Sequence, residues 1–250
     1  MELGAAARAL YLLETLSRVR SANLETLSRE ADLPKATALR LLTTLVEHGY
    51  VSRDSSDQYS LTLKMFTVGS RALGSVELLD VANPVAGRLR DKTGETVHIG
   101  ILEENRAVYV LKRESLYTIR MNSRVGRSIP LHCSAIGKCL LASMTDDQIR
   151  KIAAEEGLKR YTSRTICSVE ELLGEVAKVR QQGYAFDDGE HEEGIFCVAA
   201  PIKDTYGDTV AAMSLSTPTF RLDRQGIDAI VKNVCASCNE ISTIMGYINE

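Results

Sequence analysis

The chain has 250 residues, with 30 Lys+Arg against 33 Asp+Glu and a formal net charge of −3, so overall charge does not mark a nucleic-acid partner. With 44% apolar and 25% charged residues, 17 Gly and 5 Pro, it can bury a real core and is neither disordered nor collagen-like. No apolar run reaches the ~18–20 residues of a membrane span, and Met1–Arg20 is interrupted by Arg8, Glu14 and Arg18; six cysteines are too few for a disulfide scaffold, so a cytoplasmic chain with reduced thiols is expected.

Ala6, Leu10, Leu13 and Leu16 recur at helical spacing and predict a first helix over about residues 4–18. Ser21-Ala22-Asn23 is a turn offering a cap to a helix over Leu24–Ala31. Leu33-Pro34 breaks the pattern, and Lys35–His48 follows as a third helix closed by Gly49. Tyr50–Arg53 and Gln58–Leu61 flank a polar turn and read as a hairpin. Three helices and a hairpin in about 60 residues are the order of a winged helix-turn-helix. At 100° per residue, Ala38, Leu39, Leu41, Leu42, Leu45 and Val46 share one arc of the third helix, with Ala36, Thr37, Arg40, Thr43, Thr44 and Glu47 opposite. Short side chains let a helix enter the major groove. Residues 1–65 carry eight cations and eight anions, so phosphate contacts rest on Lys35, Arg40, Arg53 and Lys64, and useful affinity needs a dimer.

Leu61–Glu77 reads as a connecting helix. Beyond it, Thr96–Leu102, Arg106–Lys112, Tyr117–Met121, Phe196–Ile202 and Thr209–Ser216 read as strands, the first half-buried with Val97, Ile99 and Ile101 on one face. Helices are predicted at Leu79–Lys92, Ala135–Ala142, Thr145–Glu156, Val169–Gln182 and Asp223–Tyr247. The whole is α+β: a winged helix-turn-helix over 3–63, a linker helix over 64–77, and a domain with a mainly antiparallel sheet over 78–248.

Enzymatic motifs are weak. Gly137-Lys138 lacks the earlier glycine of a phosphate loop, where His132 stands, and the hydroxyl residue, where Cys139 stands. Cys235-Ala-Ser-Cys238 lacks a second pair, so no metal or cofactor is expected, and His132-Cys133 are neighbours that an extended chain points apart. Glu190–Gly194 reads equally well as a solvated loop. Ser214 and Ser216 share one face of their strand: inward, they need polar partners that a small ligand could supply; outward, they face solvent.

The chain resembles the IclR family of bacterial transcription regulators through Leu33-Pro34-Lys35-Ala36-Thr37, Arg40-Leu41-Leu42, Leu45, Gly49-Tyr50-Val51 and Tyr59-Ser60-Leu61. In the second part the likeness rests on Thr93–Val97, Gly126-Arg127, Pro130-Leu131-His132, Ser134–Lys138 and Glu192-Glu193-Gly194. The resemblance implies a GAF-like effector domain and assembly as a homodimer or homotetramer on a double-stranded DNA operator. Lys35, Ala36, Thr37, Arg40, Thr44 and Arg53 would face DNA, with Ala36 departing from the family's more usual Ser. Ala135 and Ile136 backbone, Asp187, Cys197, Ser214 and Ser216 would hold a small organic acid. Arg120–Arg127 and Tyr59–Lys64 look especially like the regulators of 2-keto-3-deoxygluconate catabolism, which implies a sugar-acid effector. The alternatives are a small-molecule enzyme built on the second domain or a sensor acting on a protein partner.

Overall fold

In a computed structural model, residues 4–72, 76–119, 121–222 and 226–247 are described. The chain divides into two compact units, Met1–Val76 and Glu77–Glu250. Among the described residues no helix is long and apolar enough to cross a membrane.

The first unit packs α1 (Ala5–Val19), α2 (Leu24–Glu30) and α3 (Lys35–Glu47) against a small antiparallel sheet. Its strands are β1 (Ser21–Ala22), β2 (Val51–Arg53) and β3 (Tyr59–Leu61), in the order β1-β3-β2. Leu12, Leu16, Leu27, Leu42, Leu45, Val51 and Tyr59 form one core, which fixes α3 by its Leu42 side. Asn23 caps α2 by accepting from the Thr26 N–H at 2.9 Å. Gly49, at φ +72°, turns the chain out of α3 into the hairpin. One expectation fails here: Leu39 is 41% exposed. It lies at the arc's edge, about 60° from Leu42 at 100° per residue, and the core does not reach it. α4 (Leu63–Ala72) follows, and α5 (Val76–Thr93) opens the second unit.

The second unit is built on β4 (Thr96–Glu103), β5 (Arg106–Arg113), β6 (Ser128–Ile129), β7 (Ala185–Asp188), β8 (Ile195–Lys203) and β9 (Thr209–Pro218). They form an antiparallel sheet ordered β6-β5-β4-β9-β8-β7. Its helices are α6 (Ala135–Leu141), α7 (Asp146–Glu156), α8 (Val169–Gln182), α9 (Thr219–Leu222) and α10 (Ile227–Ile244). One sheet face sends Val97, Ile99, Val198, Met213 and Leu215 into a core with Val85 and Leu89 of α5 and Val234 and Ile241 of α10. The other face packs Tyr109, Ala185, Cys197, Ala199 and Ala212 under α6, Ile149 of α7 and Val176 of α8. Helices on both faces bury β4 on both sides, so the half-buried expectation for that strand is wrong. Tyr117–Met121 is not a strand either: Tyr117 and Ile119 are exposed bends, Met121 is irregular, and Arg120 lies outside the described residues. The outer edge of β5 is paired instead by β6, at Ala107 and Val108. The last helix begins at Ile227; 223–225 of the expected span lie outside the described residues.

Candidate functional site

On α3, Lys35, Ala36, Arg40 and Thr44 are exposed and Thr37 is half-buried. Arg40 stands opposite Leu42 and is unpaired among the described residues, free to meet an anion. Lys35 Nζ lies 3.2 Å from Glu25 Oε1, and Arg53 of the hairpin pairs with Asp57 at 2.8 Å. Both pairs are solvent-exposed, so each is weak enough to be exchanged for a phosphate. The Thr44 hydroxyl donates back to the Arg40 carbonyl at 3.2 Å, which keeps the outer surface of α3 low. Lys64 is engaged elsewhere: its ammonium donates to the His48 carbonyl at 2.7 Å, at the negative end of α3.

The second candidate site is built by strand register. Asp187 of β7 pairs with Cys197 of β8, which pairs with Ser216 of β9. Ser214, one step along that face, lies opposite Ala199 and His98. Both serines are buried, so the inward alternative holds. Cys197 Sγ donates to Ser216 Oγ at 3.2 Å. Over this row sits the start of α6, capped by Ser134, which accepts from the Gly137 N–H at 3.1 Å. The earlier N–H groups, those of Ala135 and Ile136, have no acceptor inside their own helix. A Cβ on Gly137 would stand 2.4 Å from Leu131 Cα and O, so only glycine lets α6 approach this closely.

These elements bring Ala135, Ile136, Asp187, Cys197, Ser214 and Ser216 to one cavity. Its volume of about 10 Å³ is room for a single water, so a larger guest requires the walls to move. Tyr109, Met121, Ile129, Ser134 and His191 complete the lining and are the residues that sequence reasoning missed. The Asp187 carboxyl accepts at Oδ1 from the backbone N–H of Glu190 (2.8 Å) and His191 (3.3 Å). Burial nevertheless pushes its pKa up to about 7, and the neighbouring Glu190 carboxylate adds to the rise. Glu190 is not solvated: its Oε1 meets Lys138 Nζ, itself fully buried, at 2.5 Å. Glu192 and Glu193 are exposed.

Behind the lining, fully buried His98 stacks on Tyr109 with ring centroids 4.4 Å apart. Its Nε2 lies 2.6 Å from Ser123 Oγ. Burial, reinforced by Lys112, holds it neutral with a pKa of about 3. Lys112 donates to the Ser123 carbonyl at 2.7 Å, so two strand residues secure the segment carrying Met121 at the cavity edge. Its lone polar position among Val97, Ile99 and Ile101 was the available signal for His98. His132 Nε2 meets the Lys159 carbonyl at 3.0 Å, and Cys238 Sγ donates to the Ala200 carbonyl within the core.

Residues 5–55 match the IclR helix-turn-helix domain and residues 70–243 the bacterial transcriptional regulator IclR C-terminal domain. The chain is 40% identical over 237 residues to the HTH-type transcriptional regulator KdgR of Escherichia coli (strain K12), covering 94% of this chain and 90% of that protein. It is 32% identical over 243 residues to the transcriptional repressor IclR of the same organism, covering 96% and 89%. An IclR homolog from Microbacterium hydrocarbonoxydans, crystallised with 4-hydroxybenzoate, shares the fold with a TM-score of 0.88 at 24% identity, covering 97% of this chain and 99% of that one. The helix-turn-helix, the doubly covered antiparallel sheet and these matches together place the chain in the IclR family, as a DNA-binding transcriptional regulator.

Proposed function

We propose that this regulator is a cytoplasmic repressor of sugar-acid catabolism, released from its operator by a small carboxylate held in the cavity of the second unit. The observation that carries the reading is the convergence of Asp187, Cys197, Ser214 and Ser216 with the Ala135–Ile136 backbone on one buried cavity. Hydroxyls, a neutral thiol and amide N–H groups are donors suited to an acid's oxygens. The bound 4-hydroxybenzoate of the Microbacterium homolog, the repressor name of one relative and the likeness to the 2-keto-3-deoxygluconate regulators support the class.

On the DNA side, α3 enters the major groove with Lys35, Ala36, Thr37, Arg40 and Thr44 nearest bases or phosphates, and Arg53 meets the backbone from the wing. Three cations per protomer are few, so a homodimer or homotetramer reads two half-sites spaced by whole helical turns. The effector acts by binding one arrangement of the protein more tightly than the other. The test is fluorescence anisotropy on a duplex selected from a random pool, titrated with 2-keto-3-deoxygluconate. Release by the acid in the natural protein, lost in Ser214→Ala/Ser216→Ala, is expected. Indifference of the complex to sugar acids removes the effector class, and failure to select any duplex removes the α3 assignment.

A further inference from the structure

The cavity poses a problem of charge. Its described lining contributes Asp187 but no lysine or arginine. The nearest buried cation, Lys138, is committed to Glu190. A carboxylate entering here would stand beside a buried carboxyl with no lysine or arginine of the described lining between them. Arg127, which acts on Tyr109 and His191, is solvent-exposed and outside that lining. Two like charges in so dry a space do not both stay ionised. Resting on the carboxylate reading above, we propose that Asp187 meets its effector in the acid form, donating a hydrogen bond to it, so that each acid molecule enters together with one proton. The proton comes from solvent and resides on the Asp187 carboxyl. With Asp187 neutral, Lys138 and Glu190 balance each other and the effector carries the one net charge.

The groups surrounding Asp187 agree. From α6 comes Lys138, and from the turn after β7 come Glu190, His191 and Glu192. From β8 comes Cys197 and from β5 Tyr109, while Cys133 and Arg127 lie within electrostatic reach of this cluster. Burial holds the Cys133, Cys197 and Tyr109 protons in place, so none of these competes as an anion. His191 is kept neutral by burial and by Arg127, which disfavours it as the proton's carrier. Asp187 is already held near the point of protonation by burial. It spends Oδ1 on two backbone N–H groups, and a proton on its other oxygen would make it a donor. The same arrangement discriminates among ligands: an anion is accepted only with its proton, and a neutral analogue needs none.

Isothermal titration calorimetry of the full chain decides it, with pyruvate and 2-keto-3-deoxygluconate as probes at about pH 8, in phosphate and in Tris, whose ionisation heats differ. The natural protein should take up close to one proton per acid bound, with affinity falling ~10-fold per pH unit above neutrality. Asp187→Asn should bind with no proton uptake and a flat pH profile, and the natural protein should bind the neutral amide pyruvamide without uptake. Binding of either acid without proton uptake overturns this inference alone, and uptake that persists in Asp187→Asn overturns it in favour of His191. No binding of any acid by the natural protein overturns the carboxylate reading and this inference with it. The natural protein's buffer dependence stands as the test even if the variant does not fold.

Discussion

Replacing Lys138 with methionine tests how much the buried charges around the cavity cost and contribute. The lysine side chain is fully buried, and its ammonium meets Glu190 Oε1 at 2.5 Å. Methionine keeps most of the stem and removes the charge. What remains is a Glu190 carboxyl only 12% exposed, whose Oε2 already lacks a partner among the described residues. Removing one member of a buried pair costs about 3–5 kcal/mol, because the other charge stays buried and uncompensated. At roughly 2–4 °C per kcal/mol for a unit of this size, the melting temperature should drop by about 6–20 °C. Glu190→Gln should be destabilising for the mirror-image reason. The double variant Lys138→Met/Glu190→Gln removes both charges, and its loss should fall short of the sum by ~1–3 kcal/mol. The Lys138→Met deficit should also shrink as pH falls, since burial has already raised the Glu190 pKa and protonation relieves the orphaned charge. Urea unfolding of the four proteins, followed by far-UV circular dichroism, provides the cycle. Single losses under about 1 kcal/mol that simply add would refute the argument that these charges are desolvated.

On selected operator DNA, Arg40→Ala should weaken specific binding by ~1–3 kcal/mol, whereas Lys35→Ala should chiefly reduce the salt slope; anisotropy titrations at several salt concentrations separate the two. Gly137→Ala should destabilise the second unit by about 1–3 kcal/mol, since its Cβ meets Leu131 backbone and α6 must retreat; an unchanged melting temperature would show that close approach is not what places α6. His98 and Asp187 should tilt the pH–stability curve in opposite directions. The folded pKa of His98 is about 3 against 6.5 for the free side chain, so the unfolded chain binds the extra proton and stability is lost as pH falls through that window. The folded pKa of Asp187 is about 7 against 3.8, so the folded chain holds the extra proton and stability is lost as pH rises from about 4 towards 7. Each contributes a slope of up to ~1.4 kcal/mol per pH unit, which melts of His98→Gln and Asp187→Asn across pH should flatten separately.

The winged helix was legible because its signals are local: α3 carries its apolar arc, Pro34 and Gly49 within sixteen residues. Leu39 escaped because the apolar arc does not say how far round the helix the core extends: Ala38 beside it is fully buried, while Leu39 stands at the arc's edge. The serine pair was legible only in part. Their spacing puts Ser214 and Ser216 on one face, but whether that face meets solvent depends on α6 lying over it. Their meeting with Asp187 depends on β7 pairing with β8 at the sheet edge, and four residues of β7 show too little alternation to reveal a strand. β6, at two residues, left no pattern either. His98 was misjudged with its strand: reading β4 as half-buried leaves its second face to solvent, whereas α6 covers that face too.

Two buried ion pairs in the second unit differ in how fully they are satisfied, and the difference favours the cavity as the site of the proposed effector. Arg221 meets Glu95 through two bonds of 2.6 and 2.7 Å, donates further to the Ile119 carbonyl, and lies against the Tyr117 and Phe220 rings. Both Glu95 oxygens are satisfied, so the pair clamps the start of β4 to α9. Lys138 and Glu190 have the same charges but stop short of satisfaction, with Glu190 Oε2 unpartnered among the described residues and the Asp187 carboxyl held on the Glu190 backbone. Buried polar groups with incomplete hydrogen bonding are costly, and of this cluster Asp187 is the member that lines the cavity, so a guest that gives its carboxyl a partner lowers that cost only in the state that binds it. Under the proposed effector reading, stability withheld from the empty protein becomes a preference for the occupied one, and that differential is what would shift the proposed oligomer between arrangements with unequal grip on DNA.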